Sequence, residues 1–346
     1  MRIRGDEHEL HRLLDDQSGL FTQSQVTGLG YSRDRVRRHV ESGRWAIVLR
    51  GVYAIAAGPL DREQTLRAAL LYGGPDSLLS HRSAAEEWGL RRVSSGARAH
   101  VTVPYGRSAR CQSPTRVRSR VTATGPVARV GSVLHPGVVV HRSRAHAHIV
   151  HDGPLPRTRA ADTAIDLATS ESTAREAMTS LVSSVSSRIV RLDDIRERLE
   201  KRRPYRYRVA LEQAVRYMSD GVQSVLELAY ALEVEQAHGF PVGARQSPVR
   251  VDGRTLFEDV DYSNVGVDLI VRLDGRRFHA MPGVAFRDRR RDNAAELAGR
   301  PRLVFGYDEV VDDPCGVARE VTTVLRREGW VGEWSGCARC EPRAHL

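Results

Sequence analysis

The sequence predicts a multidomain protein of the mixed α/β and α+β classes. Three observations lead there: residues 1–57 combine short helical and strand patterns, residues 60–160 are strongly basic, and residues 219–332 place several strands between amphipathic helices. A chain of 346 residues with 41% hydrophobic content can form two or three domains with separate cores. We therefore expect a small N-terminal domain, a basic α+β middle domain and a C-terminal α/β domain.

Domain boundaries follow from changes in composition. The run EKRRPYRYR contains the helix-breaking Pro204 and separates the middle of the chain from its last third. The predicted domains are residues 1–57, residues 58–205 and residues 219–332, followed by a cysteine-containing tail of residues 333–346.

The first domain has the pattern of three helices followed by a β-hairpin. Thr22 and Ser32 are suited to cap the second and third helices, and Val36 and Val40, four residues apart, predict one buried face on the third. WAIVLRGVYAIA alternates around an RG turn, as a hairpin does. This order is that of a winged helix-turn-helix, in which the helix after the turn enters the DNA major groove and the hairpin is the wing.

Arginines are concentrated on this third helix and at the hairpin. A solvated basic helix is the alternative interpretation, but a dense cluster on the one helix that should face DNA favours DNA contact. The candidate DNA-binding residues of this domain are Ser32, Arg33, Arg35, Arg37, Arg38, Arg44 and Arg50.

The charge of the whole chain also favours a polyanionic partner. Its net charge is +10 and its pI is near 9.9. Residues 60–160 contain sixteen arginines against six acidic residues. The single lysine is Lys201, so lysine-dependent catalysis would have to use that residue, because arginine keeps its proton at ordinary pH.

Membrane and secreted classes are disfavoured. There is no run of 18 apolar residues, and MRIRGDEHEL lacks the apolar core of a signal peptide. Four cysteines suit a reducing compartment better than a disulfide framework. We therefore expect a cytoplasmic protein.

The stretch from the second helix through ESGRWAIVLRGVYAIA resembles the N-terminal domain of AbiEi-type antitoxins. The similarity continues through LLSHRSAAEEWGL and RTRAADTAIDLA, over roughly residues 10–200. Those antitoxins are winged-helix autorepressors paired with nucleotidyltransferase toxins. The resemblance implies double-stranded DNA and a toxin protein as partners, and a homodimer would suit a palindromic DNA site.

The middle domain mixes helix and strand. TLRAALLY, SLLSHRSAAEEWGL and residues 161–202 predict helices, whereas HVTVPY and GVVVHRS predict strands. His146 and His148 would share one face of a strand and could share a metal ion, but no cysteine or acidic cluster completes that site. A basic, phosphate-facing surface is the preferred interpretation here.

The last third has an α/β layout. A leading amphipathic helix precedes strand candidates in SPVRVDG, TLFEDVDY, GVDLIVRLDG and PRLVFGYDEV, with helices at NAAELAG and PCGVAREVTTVLRREG. The region resembles the very-short-patch-repair-like branch of the PD-(D/E)XK nuclease superfamily over about residues 220–332. The motifs that carry this resemblance are SVLE, DVDY, LDGRRFH, RDRRRDN and GYDEV.

Nucleases of this superfamily need convergent carboxylates on Mg²⁺, which polarises the phosphate and activates a water molecule. The resemblance places the family's acidic and polar site positions at Glu227, Asp259, Asp261, Asp274 and His279. The family's central glutamate falls on Arg272, which offers no oxygen ligand.

Two interpretations of Arg272 remain open. A register shift or bulge in a strand over 267–274 would bring Asp268 inward, so that Asp259, Asp268 and Asp274 could hold Mg²⁺. Alternatively, Arg272 takes the place of the metal and neutralises Asp259 or Asp274, which leaves the fold without nuclease activity. We favour the second. In both, Arg287, Arg290 and Arg291 form a candidate phosphate-binding surface.

The cysteines near the C-terminus suggest a structural zinc site. Cys337 and Cys340 have C-x-x-C spacing, and Cys315 supplies a third thiolate. His345, His279 or a carboxylate would be the fourth ligand. The alternative is three unliganded cysteines on a loose C-terminus.

The leading functional hypothesis is therefore an AbiEi-like DNA-binding antitoxin and transcriptional regulator with a catalytically degenerate nuclease-fold domain. The first alternative is an active Mg²⁺-dependent DNA endonuclease of a defence or repair system, targeted by the winged helix. The second is an interaction module that neutralises a toxin.

Overall fold

The computed structural model describes residues 3–55, 59–117, 129–275 and 282–340. Its contacts divide the chain into two compact units, one of Met1–Ser172 with Ser187–Arg206 and the other of Thr173–Ser186 with Tyr207–Leu346. Within the described ranges, no helix combines the length and apolar character needed to span a bilayer.

The N-terminal region contains the predicted three helices and hairpin. Its elements are α1 (Ile3–Asp16), β1 (Leu20–Thr22), α2 (Gln23–Gly28), α3 (Arg33–Glu41), β2 (Ala46–Leu49) and β3 (Val52–Ala54). Strand β1 was not predicted; it pairs antiparallel with β3, giving the sheet order β1-β3-β2. The arrangement is consistent with a winged helix.

Local capping explains where α2 begins. The Thr22 hydroxyl accepts the Gln25 amide and the Gln25 side chain accepts the Thr22 amide, so the two residues form a capping box. The predicted cap at Thr22 is thus confirmed.

The following region, residues 60–172, is built on a five-stranded mixed sheet of order β8-β5-β4-β10-β9. Its elements are α4 (Arg62–Gly73), β4 (Leu78–Leu79), α5 (His81–Glu87), β5 (Ala99–Pro104), β6 (Thr115–Arg116), β7 (Val133–His135), β8 (Val138–Ser143), α6 (His146–Ile149), β9 (Val150–His151), β10 (Arg157–Thr158) and α7 (Ala160–Ser170). The core combines residues of α4 and the sheet with Leu20, Val48 and Leu49.

Two predictions for this region were wrong. SLLSHRSAAEEWGL is not one helix, because Leu78 and Leu79 form a buried strand before α5 begins. His146 and His148 lie in the short helix α6 rather than in a strand, so the shared strand face that suggested a metal ion does not exist.

Three helices connect this region to the last third of the chain. They are α8 (Ala174–Ser186), α9 (Leu192–Lys201) and α10 (Arg208–Ser219). The helical prediction for 161–202 is confirmed in outline, with breaks between the helices. Helix α9 belongs to the first compact unit, whereas α8 and α10 belong to the second.

The last third has the predicted order of helix, strands, helix, strand and helices. Its elements are α11 (Val225–Ala229), a π-helix (Tyr230–Gln236), β11 (Ala244–Val251), β12 (Arg254–Asp261), a 3₁₀ turn (Tyr262–Val265), β13 (Ile270–Asp274), α12 (Pro282–Leu297), β14 (Arg302–Gly306), α13 (Tyr307–Asp312) and α14 (Pro314–Arg327). Strand order is β11-β12-β13-β14, antiparallel except for the parallel pair β13 and β14 that α12 connects.

Side chains of α11, the π-helix and α14 pack with β12, β13 and β14 around Tyr262, Val271 and Val321. One boundary differs from the sequence prediction. GYDEV was expected to continue the last strand, but β14 ends at Gly306 and α13 begins at Tyr307.

Candidate functional site

Helix α3 is held with one face in the core of the N-terminal region. Val36 is buried there with Tyr31 and Trp45. The Ser32 hydroxyl accepts a hydrogen bond from the Arg35 amide at 3.2 Å, which confirms the predicted N-cap. These contacts fix the helix and leave its other face to solvent.

The exposed face of α3 and the adjoining hairpin carry arginines with different surroundings. Arg37 donates to Asp34 at 2.9 Å, and the Arg35 guanidinium lies 3.9 Å from the centre of the Tyr31 ring. Four other predicted DNA-binding arginines are exposed to solvent: Arg33, Arg38, Arg44 and Arg50. The structure therefore brings the predicted arginines to one helix and its neighbouring hairpin.

His39 is a member of this surface that the sequence analysis missed. Its ring stacks on Trp45 with the ring centres 4.4 Å apart. Burial lowers the pKa of His39, and the positive charges of Arg35, Arg44 and Arg38 lower it further. The three arginines around His39 mark a cationic surface. The position of His39 four residues after Arg35 is the signal that could have identified it.

The hairpin is anchored to its own unit. Gly51 closes the turn with φ +76°, a conformation that favours glycine. The Arg50 amide donates to the Gln112 side chain at 3.1 Å, and the Thr115 hydroxyl donates to the Val48 carbonyl at 2.7 Å. The Arg50 side chain is thus presented from a fixed backbone.

Four potential metal ligands meet near the C-terminus. His238, Cys315, Cys337 and Cys340 each offer an atom within 4.8 Å of the others. The three sulfur–sulfur distances are 3.5, 3.6 and 3.8 Å, and Cys340 Sγ lies 3.6 Å from His238 Nε2. Tetrahedral zinc with ordinary bond lengths requires about 3.8 Å between sulfurs and about 3.6 Å between sulfur and nitrogen. The cluster can hold a structural zinc ion.

Neighbouring groups orient these ligands. His238 Nδ1 donates to the Val234 carbonyl at 3.0 Å, which directs Nε2 toward the thiols. The Cys337 sulfur accepts the Arg339 amide at 3.3 Å. Burial and the two neighbouring thiols raise the pKa of Cys315 to about 12. A divalent cation would favour the thiolate form of Cys315, which zinc binding requires.

The three predicted cysteine ligands thus come together, and the described residues place His238 beside them as a candidate fourth ligand that was not predicted. The predicted fourth ligand was His345, His279 or a carboxylate. His345 and His279 lie outside the described residues. His238 stands far from the cysteines in the sequence and has no motif of its own, so only the tertiary fold reveals it.

Arg272 lies in a buried ion-pair network. Its guanidinium makes a bidentate contact with Glu258, with N···O distances of 2.8 and 3.0 Å, and also pairs with Asp292. Arg272 is 5% exposed and Glu258 is 1% exposed. A bidentate contact of Arg272 with a carboxylate was predicted, but the prediction that the carboxylate is Asp259 or Asp274 was wrong. Glu258 was missed because its neighbour Asp259 matched the motif.

The acids around this pair have other partners. Asp259 accepts the Leu273 amide at 2.9 Å, whereas Asp261 accepts the Ser263 hydroxyl at 2.7 Å and pairs with Arg300. Asp274 is exposed at the end of β13.

Glu227 caps its own helix by accepting from Gln223 and Ser224, each at 3.0 Å. Burial raises the pKa of Glu227, and the charge of Asp259 raises it further, so these two carboxyl groups influence each other.

The other predicted positions whose side chains the structure describes are Asp268, Arg290 and Arg291. Asp268 is exposed and precedes β13, so its expected place within a regular strand was wrong. Arg290 pairs with Asp252 at 2.5 Å and Arg291 donates to the Phe257 carbonyl at 2.5 Å. The Arg287 side chain lies outside the described part.

In the ranges that the structure describes, neither group of three or more close ligand atoms contains an aspartate or glutamate. Within hydrogen-bonding distance, the buried acids of the last third therefore have guanidinium, amide and hydroxyl partners. This arrangement gives no indication of a magnesium site.

Comparison with known proteins assigns the N-terminal region. No curated protein matches the chain. Residues 8–56 match the family described as "Transcriptional regulator, AbiEi antitoxin". This match spans most of α1, together with α2, α3 and the hairpin, and assigns no residue after position 56. The part that carries the arginine-rich helix is therefore similar to the AbiEi antitoxin/transcriptional regulator family.

Proposed function

We propose that the chain is a DNA-binding transcriptional regulator of the AbiEi antitoxin type. The exposed arginine face of α3, in the region that matches this family, carries the proposal. In a winged helix-turn-helix the helix after the turn enters the major groove and the wing contacts the backbone. Arg33 and Arg38 are then placed for the groove, and Arg50 for a phosphate.

The net charge of +10 supports a polyanionic ligand. Guanidinium groups suit phosphate oxygens and the guanine edge because they donate two parallel hydrogen bonds. Arg35 and Arg37 have internal contacts and would help to orient the helix as well as raise the local potential.

The test is fluorescence anisotropy with the duplex that lies upstream of the protein's own gene. The double variant Arg33→Ala/Arg38→Ala should bind at least tenfold more weakly, since a base or phosphate contact contributes about 1–3 kcal/mol. Arg326→Ala removes an exposed arginine from α14 in the other unit and should stay within about twofold of the wild type. Equal affinities of all three proteins would contradict the proposal.

The family resemblance further suggests a toxin protein as partner, and a homodimer on a palindromic site. Co-purification with the product of the neighbouring gene tests the first of these. Sedimentation of the protein with and without duplex tests the second.

For residues 219–332 we propose a nuclease-like fold whose centre is neutralised by Arg272. The order of helices and strands supports the fold, and the bidentate pair with Glu258 supports the loss of a metal. A cation at this position would have to displace a guanidinium that already satisfies the buried carboxylate.

Incubation of duplex DNA with Mg²⁺ or Mn²⁺ tests this second proposal. The wild-type chain should not cleave. Cleavage that Asp259→Ala abolishes would contradict the proposal and establish the endonuclease alternative. Arg272→Glu, checked for folding by circular dichroism, shows whether removing the guanidinium restores activity.

For the cluster of His238 and three cysteines we propose Zn²⁺ as the ion. Cys337→Ser/Cys340→Ser should remove one zinc per chain and raise amide exchange over residues 336–340. Unchanged zinc content would contradict the assignment.

A further inference from the structure

Three histidines meet inside the first compact unit. His81 begins α5, His100 lies on β5 and His141 lies on β8. Strands β5 and β8 are parallel neighbours in which Thr102 pairs with His141. Because His100 and Thr102 are two residues apart, His100 and His141 point to the same face of the sheet.

The three imidazoles are close enough to share one ion. One ring nitrogen of each lies within 4.8 Å of the other two. His100 Nδ1 and His141 Nε2 are 3.1 Å apart, and the His81 and His141 rings stack with centres 3.5 Å apart. Two nitrogens on tetrahedral zinc lie about 3.3 Å apart. Rotation about the Cβ–Cγ bonds, which is soft for histidine, would let the stacked rings converge.

A buried carboxylate stands behind this trio. Asp166 is 4% exposed, and among the described residues its Oδ2 has no hydrogen-bond partner, although it lies 4.0 Å from His81 Nδ1. Its other oxygen binds Arg202 at 2.8 Å. Metal-binding histidines characteristically donate their second ring nitrogen to such a carboxylate. The Ser80 hydroxyl, 3.0 Å from the same nitrogen, offers an alternative partner.

We propose that His81, His100 and His141 form a second metal site, which takes a borderline divalent cation such as Zn²⁺ with Asp166 supporting His81 from behind. Three imidazole nitrogens suit zinc, nickel and cobalt rather than magnesium or calcium. The fourth coordination position is open to water or to an anion.

Burial holds the three imidazoles in the neutral form. Burial lowers the pKa of His81 to about 3, of His100 to about 4 and of His141 to about 3. Neutral imidazole is the form that binds metals, so no proton has to be displaced near pH 7.

The charged groups that face the trio are Arg62, Arg82, Arg98, Arg202, Glu86 and Asp166. Arg62 and Arg82 both pair with Glu86, which offsets part of their repulsion of a cation.

His81 itself adopts φ +48°, an unusual conformation for a residue with a side chain. This backbone turns the first residue of α5 toward β5 and β8. The bound ion would therefore tie the start of a helix to two strands of the central sheet.

Zinc content of the full chain tests the proposal. After saturation with Zn²⁺ and gel filtration, the wild type should carry two zinc ions per chain, His141→Ala one, and His148→Ala two. His148 is an exposed histidine of the same unit and serves as the matched control. Equal zinc content in the wild type and His141→Ala would overturn the proposal.

Cobalt spectroscopy avoids dependence on the folding of the histidine variants. Cys337→Ser/Cys340→Ser leaves the trio intact and should bind one Co²⁺ per chain, with visible d–d absorption but no thiolate charge-transfer band. A chain of this variant that retains its circular dichroism and shows no cobalt absorption would also overturn the proposal.

Discussion

Arginine plays opposite roles in two regions of the molecule, the surface of α3 with its hairpin and the strand β13 that carries Arg272. On α3 and the hairpin it is exposed, as Arg33, Arg38 and Arg44 show, and its charge faces solvent. Arg272, by contrast, is 5% exposed, and Glu258 and Asp292 neutralise its charge. The first environment leaves a charge free for a polyanion, whereas the second converts the same side chain into a structural contact.

The difference separates two kinds of effect. Removing an exposed arginine costs little folding stability but weakens binding of an anionic ligand. Removing a buried arginine leaves its carboxylate partner without compensation inside the protein. Stability and DNA affinity should therefore respond to different positions.

The largest effect is expected for Arg272→Ala. Breaking one partner of a buried ion pair costs roughly 3–5 kcal/mol of folding stability. Hydrogen exchange measured over β12 and β13 should accelerate strongly in this variant. Arg254→Ala, which removes an exposed arginine from β12, is the matched control and should leave exchange almost unchanged. Similar exchange in both variants would show that the buried pair contributes little.

A slightly smaller effect is expected from pH at His135, another buried group. His135 Nε2 donates to the Thr65 carbonyl and its Nδ1 accepts the Gly137 amide, each at 3.0 Å, so protonation would break the second bond. Burial lowers the pKa of His135 from 6.5 to about 4. As pH falls, the unfolded chain takes up the proton before the folded chain does. The contribution of neutral His135 to folding stability is therefore fully present above pH 6.5 and declines as the pH falls toward 4.

This decline amounts to about 3 kcal/mol from His135. Urea unfolding at pH 7 and pH 4.5 measures it, and His135→Gln should lose less stability between the two pH values than the wild type. His148→Gln, at an exposed histidine, should behave like the wild type. Parallel losses in all three proteins would exclude the protonation of His135 as the cause.

The smallest effect is expected at Ser32, which caps the helix with the exposed arginines, α3. Ser32→Ala removes the N-cap of α3 and should cost about 1 kcal/mol. Ser32→Asp keeps a capping oxygen and should restore most of that loss. Thermal unfolding of the wild type and the two variants measures these changes. An unchanged transition temperature in Ser32→Ala would show that the core contacts of Val36 hold α3 in place without the cap.

Features encoded by neighbouring residues were predicted correctly from the sequence. The caps at Thr22 and Ser32 depend only on residues within one helical turn. The buried face of α3 follows from the four-residue spacing of Val36 and Val40. The thiol cluster was anticipated for a similar reason, since Cys337 and Cys340 share one turn.

Features that depend on tertiary contacts were missed. His238 reaches the cysteines only because the end of the π-helix lies beside α14. Glu258 meets Arg272 through side-chain reach across the sheet, which no motif encodes. The prediction for the short helix α6 failed for a different reason, because a segment of four residues fits strand and helix periodicity equally well.

The most direct test of the exposed arginine surface is the salt dependence of duplex binding by the wild-type chain. If arginines of α3 and the hairpin contact phosphates, log K should fall linearly with log salt concentration, with a slope of about −0.9 for each phosphate contacted. Arg50→Ala, which removes the proposed phosphate contact, should reduce the magnitude of the slope by about 1. An affinity for duplex DNA that stays constant from low to high salt would contradict phosphate binding by the exposed arginines.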